Sequence, residues 1–353
     1  MQTSSRKIRL GFIGAGFIGQ IAHIENYAQL NNCELYAIAD LRPNLLNQVA
    51  NKFGITHRYS THTELLADTQ IDAVVVVTAR SHTVDIVKDC LLAGKHVFSE
   101  KPMAGNSDIA SSLVQLAERN SLVYCVGYMK RCDAGVIQAK KIYDDLIAKN
   151  SIGKLLQISA QCYMGDSYCK AAGYIHGEEA RPTMVNEAEF APSFLCQSDK
   201  PLFARYVNVH SHLLNFIRYF VGEKPSVEYF NTVSPLAHIC VMRVQDQLIM
   251  LETGEVEQKH WQEKCTFIFE RGQLVVTLPP ALLRNVPATI ELQQSGEISQ
   301  STQLQVEWSW AFKSQAATFI ESVQKKKTDN VISAKEALVD IELAEDIWKK
   351  LSK

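Results

Sequence analysis

Two side chains in this sequence, Lys101 and His212, sit in settings suited to handling a proton and developing charge at a reacting oxygen. Lys101 follows Glu100 at the end of the run His96-Val97-Phe98-Ser99 and precedes Pro102. Proline biases the residue before it towards an extended conformation, so Lys101 is expected to end a buried strand and project beyond it. An ammonium so placed can hydrogen-bond a reacting oxygen, and burial can lower its pKa towards neutrality so that it also carries the proton. The competing reading is a solvated surface ion pair. His212 lies in Arg205-Tyr206-Val207-Asn208-Val209-His210-Ser211-His212-Leu213-Leu214-Asn215-Phe216. At about 100° per residue, Arg205, Asn208, His212 and Asn215 share one helical stripe, opposite Val209, Leu213, Phe216 and Phe220. An imidazole in such a stripe can act as acid or base near neutral pH. The alternative is a solvent-facing polar stripe; His210 points elsewhere and reads as structural.

Redox chemistry at such a centre needs an electron carrier, and the N-terminal sequence provides a place for one. Ile8 to Ile13 is a short apolar strand that runs into Gly14-Ala15-Gly16-Phe17-Ile18-Gly19, followed by helix-like sequence to about Leu30. In such a turn Gly14 allows the tight bend, Gly16 lets the backbone approach a pyrophosphate, and Gly19 lets helix and strand pack closely. Phosphates would meet the N–H groups of the helix start, Phe17 and Ile18 included, where the macrodipole favours negative charge. A second run, Cys33 to Ala39, ends at Asp40, which can accept hydrogen bonds from the ribose hydroxyls. That carboxylate would repel a 2′-phosphate, so NAD is the expected cofactor, while Arg42 leaves NADP open. Ligands of an open parallel sheet bind beyond the carboxyl ends of its strands, which brings Thr78, His82, Glu100 and Lys101 into the same cofactor-binding set.

The elements that position these residues alternate between strand-like and helix-like runs up to about Gly127. Ala73 to Val77 is the continuous β-branched run of a strand buried on both faces. This is an α/β pattern, a Rossmann-type doubly wound parallel sheet over residues 1–127. Residues 128–353 read as a C-terminal α+β domain with a large, mostly antiparallel open sheet, whose last helix can pack back on the Rossmann domain. That part begins with an amphipathic helix, Ala134 to Ala148, with Val136, Ile137, Ala139, Ile142, Leu146 and Ile147 as its inner residues. A strand over Leu155 to Tyr163 follows, then a polar stretch from about Gly165 to Pro201, long enough to expect a functional role. Five strand-like segments follow between Val227 and Leu278, and two helices close the chain.

Composition narrows the function classes. The chain has 353 residues, so two domains are expected, and its net charge of −2 offers no general attraction to nucleic acid or membrane. The nine cysteines include no CxxC pair, so no metal site is expected, and their apolar settings point to reduced, buried thiols. The polar lead Met1 to Arg6 has no apolar h-region, and no run has transmembrane length, so the cytoplasm is the expected location.

The combination resembles the glucose-fructose oxidoreductase / inositol dehydrogenase / rhizopine catabolism family, Gfo/Idh/MocA. The resemblance is carried by Gly14-Ala-Gly16-Phe-Ile-Gly19, by Ala39-Asp40, by Ala93-Gly94-Lys95-His96-Val97-Phe98-Ser99-Glu100-Lys101-Pro102, and by His212 to Gly222. It implies that Lys101 and His212 flank a substrate carbinol, and that relatives form dimers or tetramers through the antiparallel sheet. The family commonly has Asp where this chain has Asn208 and Asn215. Asparagine can position a group by hydrogen bonding but supplies no carboxylate. The usual turn after the fourth strand is altered to Thr78-Ala79-Arg80, with His82 retained and read as structural rather than catalytic. The implied reaction is hydride transfer between nicotinamide and a secondary alcohol or ketone of a sugar, nucleotide-sugar or cyclitol. Lys101 would stabilise the oxygen, His212 would exchange the proton, and Asn208 would orient them. Tyr128 and Arg131 are candidate substrate contacts beside Lys101, Asn208 and His212. The alternatives are a glycoside-cleaving enzyme working by transient oxidation with retained NAD, and a catalytically weakened dinucleotide-binding sensor or structural subunit. The expected partners are a small carbohydrate or cyclitol and further copies of the chain.

Overall fold

Short runs of apolar residues without polar alternation can be satisfied only where both faces of a sheet are covered. The computed structural model, which describes residues 6–180, 186–234, 236–328 and 330–351, forms them into a six-stranded parallel sheet. Its strands are β1 (Ile8–Ile13), β2 (Cys33–Ala39), β3 (His57–Tyr59), β4 (Ala73–Val76), β5 (His96–Ser99) and β6 (Tyr124–Val126), in the order β3-β2-β1-β4-β5-β6. The order reverses between β1 and β4, the switch point where such sheets bind ligands. β4 is buried along its whole length, as its β-branched composition requires. The polar lead read from the sequence lies outside the described residues as far as Ser5.

Helices cross between these strands. The helix expected from Phe17 to about Leu30 is helical from Phe17 to Tyr27, with a π-helical stretch, Gly19–Ile24, that continues into α1 (Glu25–Tyr27). The crossovers continue with α2 (Pro43–Phe53), α3 (His62–Leu66), α4 (Arg80–Leu92) and α5 (Ser107–Arg119). Proline opens α2 and Gly54, at φ 68°, closes it; Asn106 caps α5 by accepting from the Ile109 N–H.

The second sheet has eight strands: β7 (Leu155–Met164), β8 (Ser226–Ser234), β9 (Ala237–Val244), β10 (Gln247–Glu255), β11 (Gln262–Phe269), β12 (Gly272–Thr277), β13 (Thr289–Gln294) and β14 (Gln300–Leu304). All its pairings are antiparallel except β7 with β10, because β7 inserts between β10 and β11. The remaining helices are α6 (Ala134–Lys149), α7 (Lys200–Val221), α8 (Ala311–Lys325) and α9 (Ala334–Trp348). The inward stripe of α6 is Val136, Ala139, Tyr143 and Leu146. Ile137 and Ile147, expected inside, are exposed, since each stands one residue off that 3.6-residue row.

Two compact units result. One gathers the described residues of Met1–Tyr128, Ala172–Ala204 and Phe312–Leu338; the other gathers those of Met129–Ala171, Arg205–Ala311 and Val339–Lys353. The described residues between 172 and 204 therefore belong with the parallel sheet, although they follow β7 in sequence. All nine cysteines are free thiols, and seven are buried. No helix among the described residues is long and apolar enough to cross a membrane.

Candidate dinucleotide site

The three glycines after β1 are each required for a different reason. Gly14 has φ +103° and donates its N–H to the Ala39 carbonyl at 2.9 Å. A Cβ there would stand 2.2 Å from the Val77 carbonyl oxygen, and one on Gly19 would stand 2.8 Å from the Gly14 oxygen. Gly16 differs: a Cβ there would meet only the Arg42 Nη2, at 4.0 Å. The loop is thus closed against the sheet at its two ends and open at its middle, a shape that fits a pyrophosphate against the backbone. Gln20 holds the loop from behind, donating to the Ala15 carbonyl at 2.9 Å.

Asp40, at the end of β2, is nearly buried and its carboxylate is fully engaged. Oδ2 accepts from the Ala15 N–H at 2.7 Å and from Arg42 Nη2 at 2.8 Å. Oδ1 accepts from the Arg42 N–H at 3.0 Å and from Arg42 Nε at 2.8 Å. These bonds to Asp40 raise the pKa of the Arg42 guanidinium, an effect opposed by its partial burial.

Lys101 is held by a chain of contacts that begins on the first helix. His23 Nε2 lies 2.7 Å from Glu100 Oε1, and Glu100 Oε2 accepts the Lys101 N–H at 3.1 Å. His23 is packed against the rings of Phe98 and Phe312, and a Cβ on Gly127 would lie 3.1 Å from the Glu100 carboxylate. Glu100 is thereby fixed on three sides and sets the backbone from which Lys101, half-buried, extends. Glu100, expected in the cofactor-binding set, uses its two oxygens to hold the end of β5. The peptide between Lys101 and Pro102 is cis. Thr78 and His82 flank the start of α4: Thr78 Oγ1 lies 3.3 Å from Thr83 Oγ1, and the His82 N–H donates to Ala79 O at 2.9 Å. Tyr128, buried, follows β6 in the same unit.

In the other unit α7 carries the polar stripe, but its members diverge. Arg205 pairs with Glu255 at 2.5 Å near the surface, and Asn208 and His212 are half-buried. Asn215 is buried: its Nδ2 donates to Asp340 Oδ2 at 2.6 Å. Arg218 Nη1 donates to the other Asp340 oxygen at 2.7 Å. Burial raises the pKa of Asp340, and the charges of Arg218 and Arg131 oppose that rise. Arg131, a candidate substrate contact, is buried. Its Nε and Nη2 donate to the Asn215 carbonyl at 3.0 and 2.7 Å, so its fork braces α7. His210 is buried beside the rings of Tyr206 and His238, consistent with its structural reading. His23 and Asp340 were missed by the sequence reading, because each acts through partners remote in sequence and neither lies in a motif.

A glycine loop closed at its ends, an acidic β2 terminus beside it and a switch point between β1 and β4 define a dinucleotide-binding Rossmann unit. Residues 8–128 match the model of the Gfo/Idh/MocA oxidoreductases, described as an oxidoreductase family with an NAD-binding Rossmann fold. The chain is 31% identical to myo-inositol 2-dehydrogenase of Thermotoga maritima over 147 residues, 42% of either protein. It is 35% identical to inositol 2-dehydrogenase/D-chiro-inositol 3-dehydrogenase of Shouchella clausii over 139 residues, 38% of this chain and 39% of the relative. Both matches thus span about two fifths of the relatives' length. Among solved structures, the chain is similar to the 3-ketoreductase KijD10 of Actinomadura kijaniata in complex with NADP and TDP-benzene (TM-score 0.75, 15% identity, 98% of each chain). It is also similar to the aldose-aldose oxidoreductase of Caulobacter crescentus in complex with glycerol (TM-score 0.76, 16% identity, 98% of this chain and 97% of the other). At those identities the likeness is one of fold.

Proposed function

We propose that this chain is an NAD(P)-dependent oxidoreductase acting on a secondary alcohol or ketone of a sugar, nucleotide-sugar or cyclitol, with NAD the preferred coenzyme. The observation that carries the reading is the pairing, in one unit, of the open Gly16 backbone beside Asp40 with the braced Lys101 at the end of β5. When bound, the nicotinamide supplies the site that accepts or donates the hydride. The residues of the chain bind, orient and move the proton. Asp40 and the N–H groups after Gly14 bind the ribose and pyrophosphate. Lys101 donates a hydrogen bond to the reacting oxygen and stabilises the negative charge that develops there as the hydroxyl proton leaves or, in the reverse direction, as hydride reaches the carbonyl carbon. His212 exchanges the hydroxyl proton, and Asn208, one helical turn before it, orients the hydroxyl. Glu100 and His23 position Lys101, and Arg131 positions α7. Thr78 and His82 border the coenzyme at the start of α4, and Tyr128 completes the substrate side.

The substrate class is supported by the names of the curated relatives, the inositol dehydrogenases, which match over part of their length. The further copies of the chain expected from the sequence would dock on the sheet face that exposes Leu156, Tyr229, Ile239 and Met250, a proposal that light scattering of the purified protein tests. Incubation with NAD+ or NADP+ and a panel of cyclitols and aldoses, read by absorbance of the reduced coenzyme, tests the activity. Reduction with at least one polyol is expected. Tight coenzyme binding with no reduction by any of them would support the second reading, a dinucleotide-binding protein with weakened catalysis. That reading draws on Asn208 and on the engagement of Asn215 with Asp340.

A further inference from the structure

The segment from Gly173 to Glu179 lies along the dinucleotide unit and touches it at four places. The Gly173 carbonyl accepts from Lys52 Nζ near the end of α2. The Tyr174 ring meets Phe17 of the glycine loop edge-on, with centroids 4.6 Å apart. Gln20, just past the loop, donates to the Ile175 carbonyl at 3.0 Å and accepts from its N–H at 2.8 Å. Finally, Glu179 accepts from the backbone N–H groups of Asn44 at 2.9 Å and Leu45 at 3.0 Å, in the first turn of α2. Gly177 passes close to Leu45 on the way: a Cβ there would lie 3.3 Å from Leu45 Cδ2.

The position of Glu179 bears on which coenzyme can bind. The corner between β2 and α2 is where a dinucleotide fold meets the adenosine ribose: an acid there takes the 2′-hydroxyl, and an arginine nearby takes a 2′-phosphate. Here the acid is Asp40 and the arginine is Arg42, and the N–H groups just after them are already bound by the Glu179 carboxylate. Those groups, with the positive end of the helix dipole, are what a 2′-phosphate would otherwise use. A carboxylate offers about four acceptor positions, and Asp40 has all of them filled by Ala15 and Arg42. A ribose hydroxyl can therefore bind Asp40 only if the Arg42 fork releases it. Arg42 also experiences the charge of Glu179, which favours its charged form.

We propose that Glu179 is a specificity-determining residue: its carboxylate takes the anion position of the 2′-phosphate, receives Arg42 when ribose binds, and so selects NAD over NADP. The inference rests on the dinucleotide-binding reading of the same site. With NAD, one cation serves two carboxylates that are both compensated by N–H groups. With NADP, the phosphate competes with Glu179 for the same donors and is repelled by two carboxylates.

Titration calorimetry of NAD+ and NADP+ against the whole chain and against Glu179→Gln, Glu179→Ala and Glu179→Asp tests this. The wild type is expected to prefer NAD+. Glu179→Gln and Glu179→Ala are expected to raise the NADP+/NAD+ affinity ratio by about tenfold, from the loss of one like charge beside the phosphate. Glu179→Asp, which keeps the charge, should retain most of the preference. If removing the cap loosens the segment, both affinities fall together and the ratio still reports the effect. An unchanged ratio in Gln and Ala, or a wild type that prefers NADP+, would overturn the inference and leave the dinucleotide reading intact. Binding of neither nucleotide by a folded wild type would overturn both.

Discussion

Alanine substitution at Gly14, Gly16 and Gly19 separates what the loop needs for folding from what it needs for a ligand. At Gly14 a side chain meets a positive φ of +103°, which costs about 1–3 kcal/mol for a non-glycine residue. Its Cβ would also fall 2.2 Å from the Val77 oxygen, more than 1 Å inside ordinary contact, and that oxygen belongs to backbone that cannot rotate away. Overpacking of this kind adds about 1–3 kcal/mol, for a total near 3 kcal/mol or more. A loss of that size lowers the melting temperature of a unit this large by about 6–12 °C. Gly19→Ala, with its Cβ at 2.8 Å, should fall between wild type and Gly14→Ala. Gly16→Ala has nothing nearer than 4.0 Å and should melt like the wild type. Its methyl would nevertheless stand between backbone and pyrophosphate, so NAD+ affinity should fall at least about tenfold, or ~1.4 kcal/mol. Scanning calorimetry with and without NAD+ reads both effects. Wild-type NAD+ affinity in Gly16→Ala, or wild-type melting in Gly14→Ala, would refute the reasoning.

Other substitutions test the second unit and the support of Lys101. Asp340→Asn leaves the buried Arg218 without its countercharge and should destabilise the protein by about 3–5 kcal/mol in chemical denaturation, an effect unrelated to coenzyme affinity. Burial holds the pKa of His238 down to about 4, against an ordinary 6.5. A histidine depressed in this way contributes stability above about pH 6.5 that is lost as pH falls towards 4. Melting curves across that window should therefore fall in the wild type and fall less in His238→Phe. His23→Phe removes the group that fixes Glu100, and should lower the rate of coenzyme reduction while NAD+ affinity stays within about threefold, read by parallel turnover and calorimetry.

The parts of the fold that were legible in the sequence are those whose causes are local. The glycine spacing, the acid at the end of β2 and the unbroken apolar run of β4 each report a constraint met within a few residues, and all three stand where their chemistry placed them. The bulk of α6 was legible too, but choosing among its isoleucines needed the true phase of the helix, which Tyr143 sets by turning inwards. Longer-range facts were not legible. Asn215 shares a stripe with His212 on a helical wheel, yet it faces Asp340, 125 residues away, and nothing near either residue signals the pairing. That Arg131 braces the Asn215 main-chain carbonyl has no signature in sequence. Glu179 lies in a polar stretch without periodicity and acts on α2 across 135 residues. The place of β7 between β10 and β11 was hidden for a related reason, since alternation gives the face of a strand but not its neighbours.

The account turns on a coenzyme bound by the Rossmann unit and on Lys101 acting at the reacting oxygen. Its most direct test is a pair of measurements on wild type and Lys101→Met: NAD+ affinity by calorimetry, and the rate of NAD+ reduction with whichever cyclitol or sugar alcohol the wild type oxidises. The account predicts NAD+ affinity within about threefold of wild type and a rate at least about a hundredfold lower. Undiminished turnover by Lys101→Met, or a folded wild type that does not bind NAD+, would contradict it.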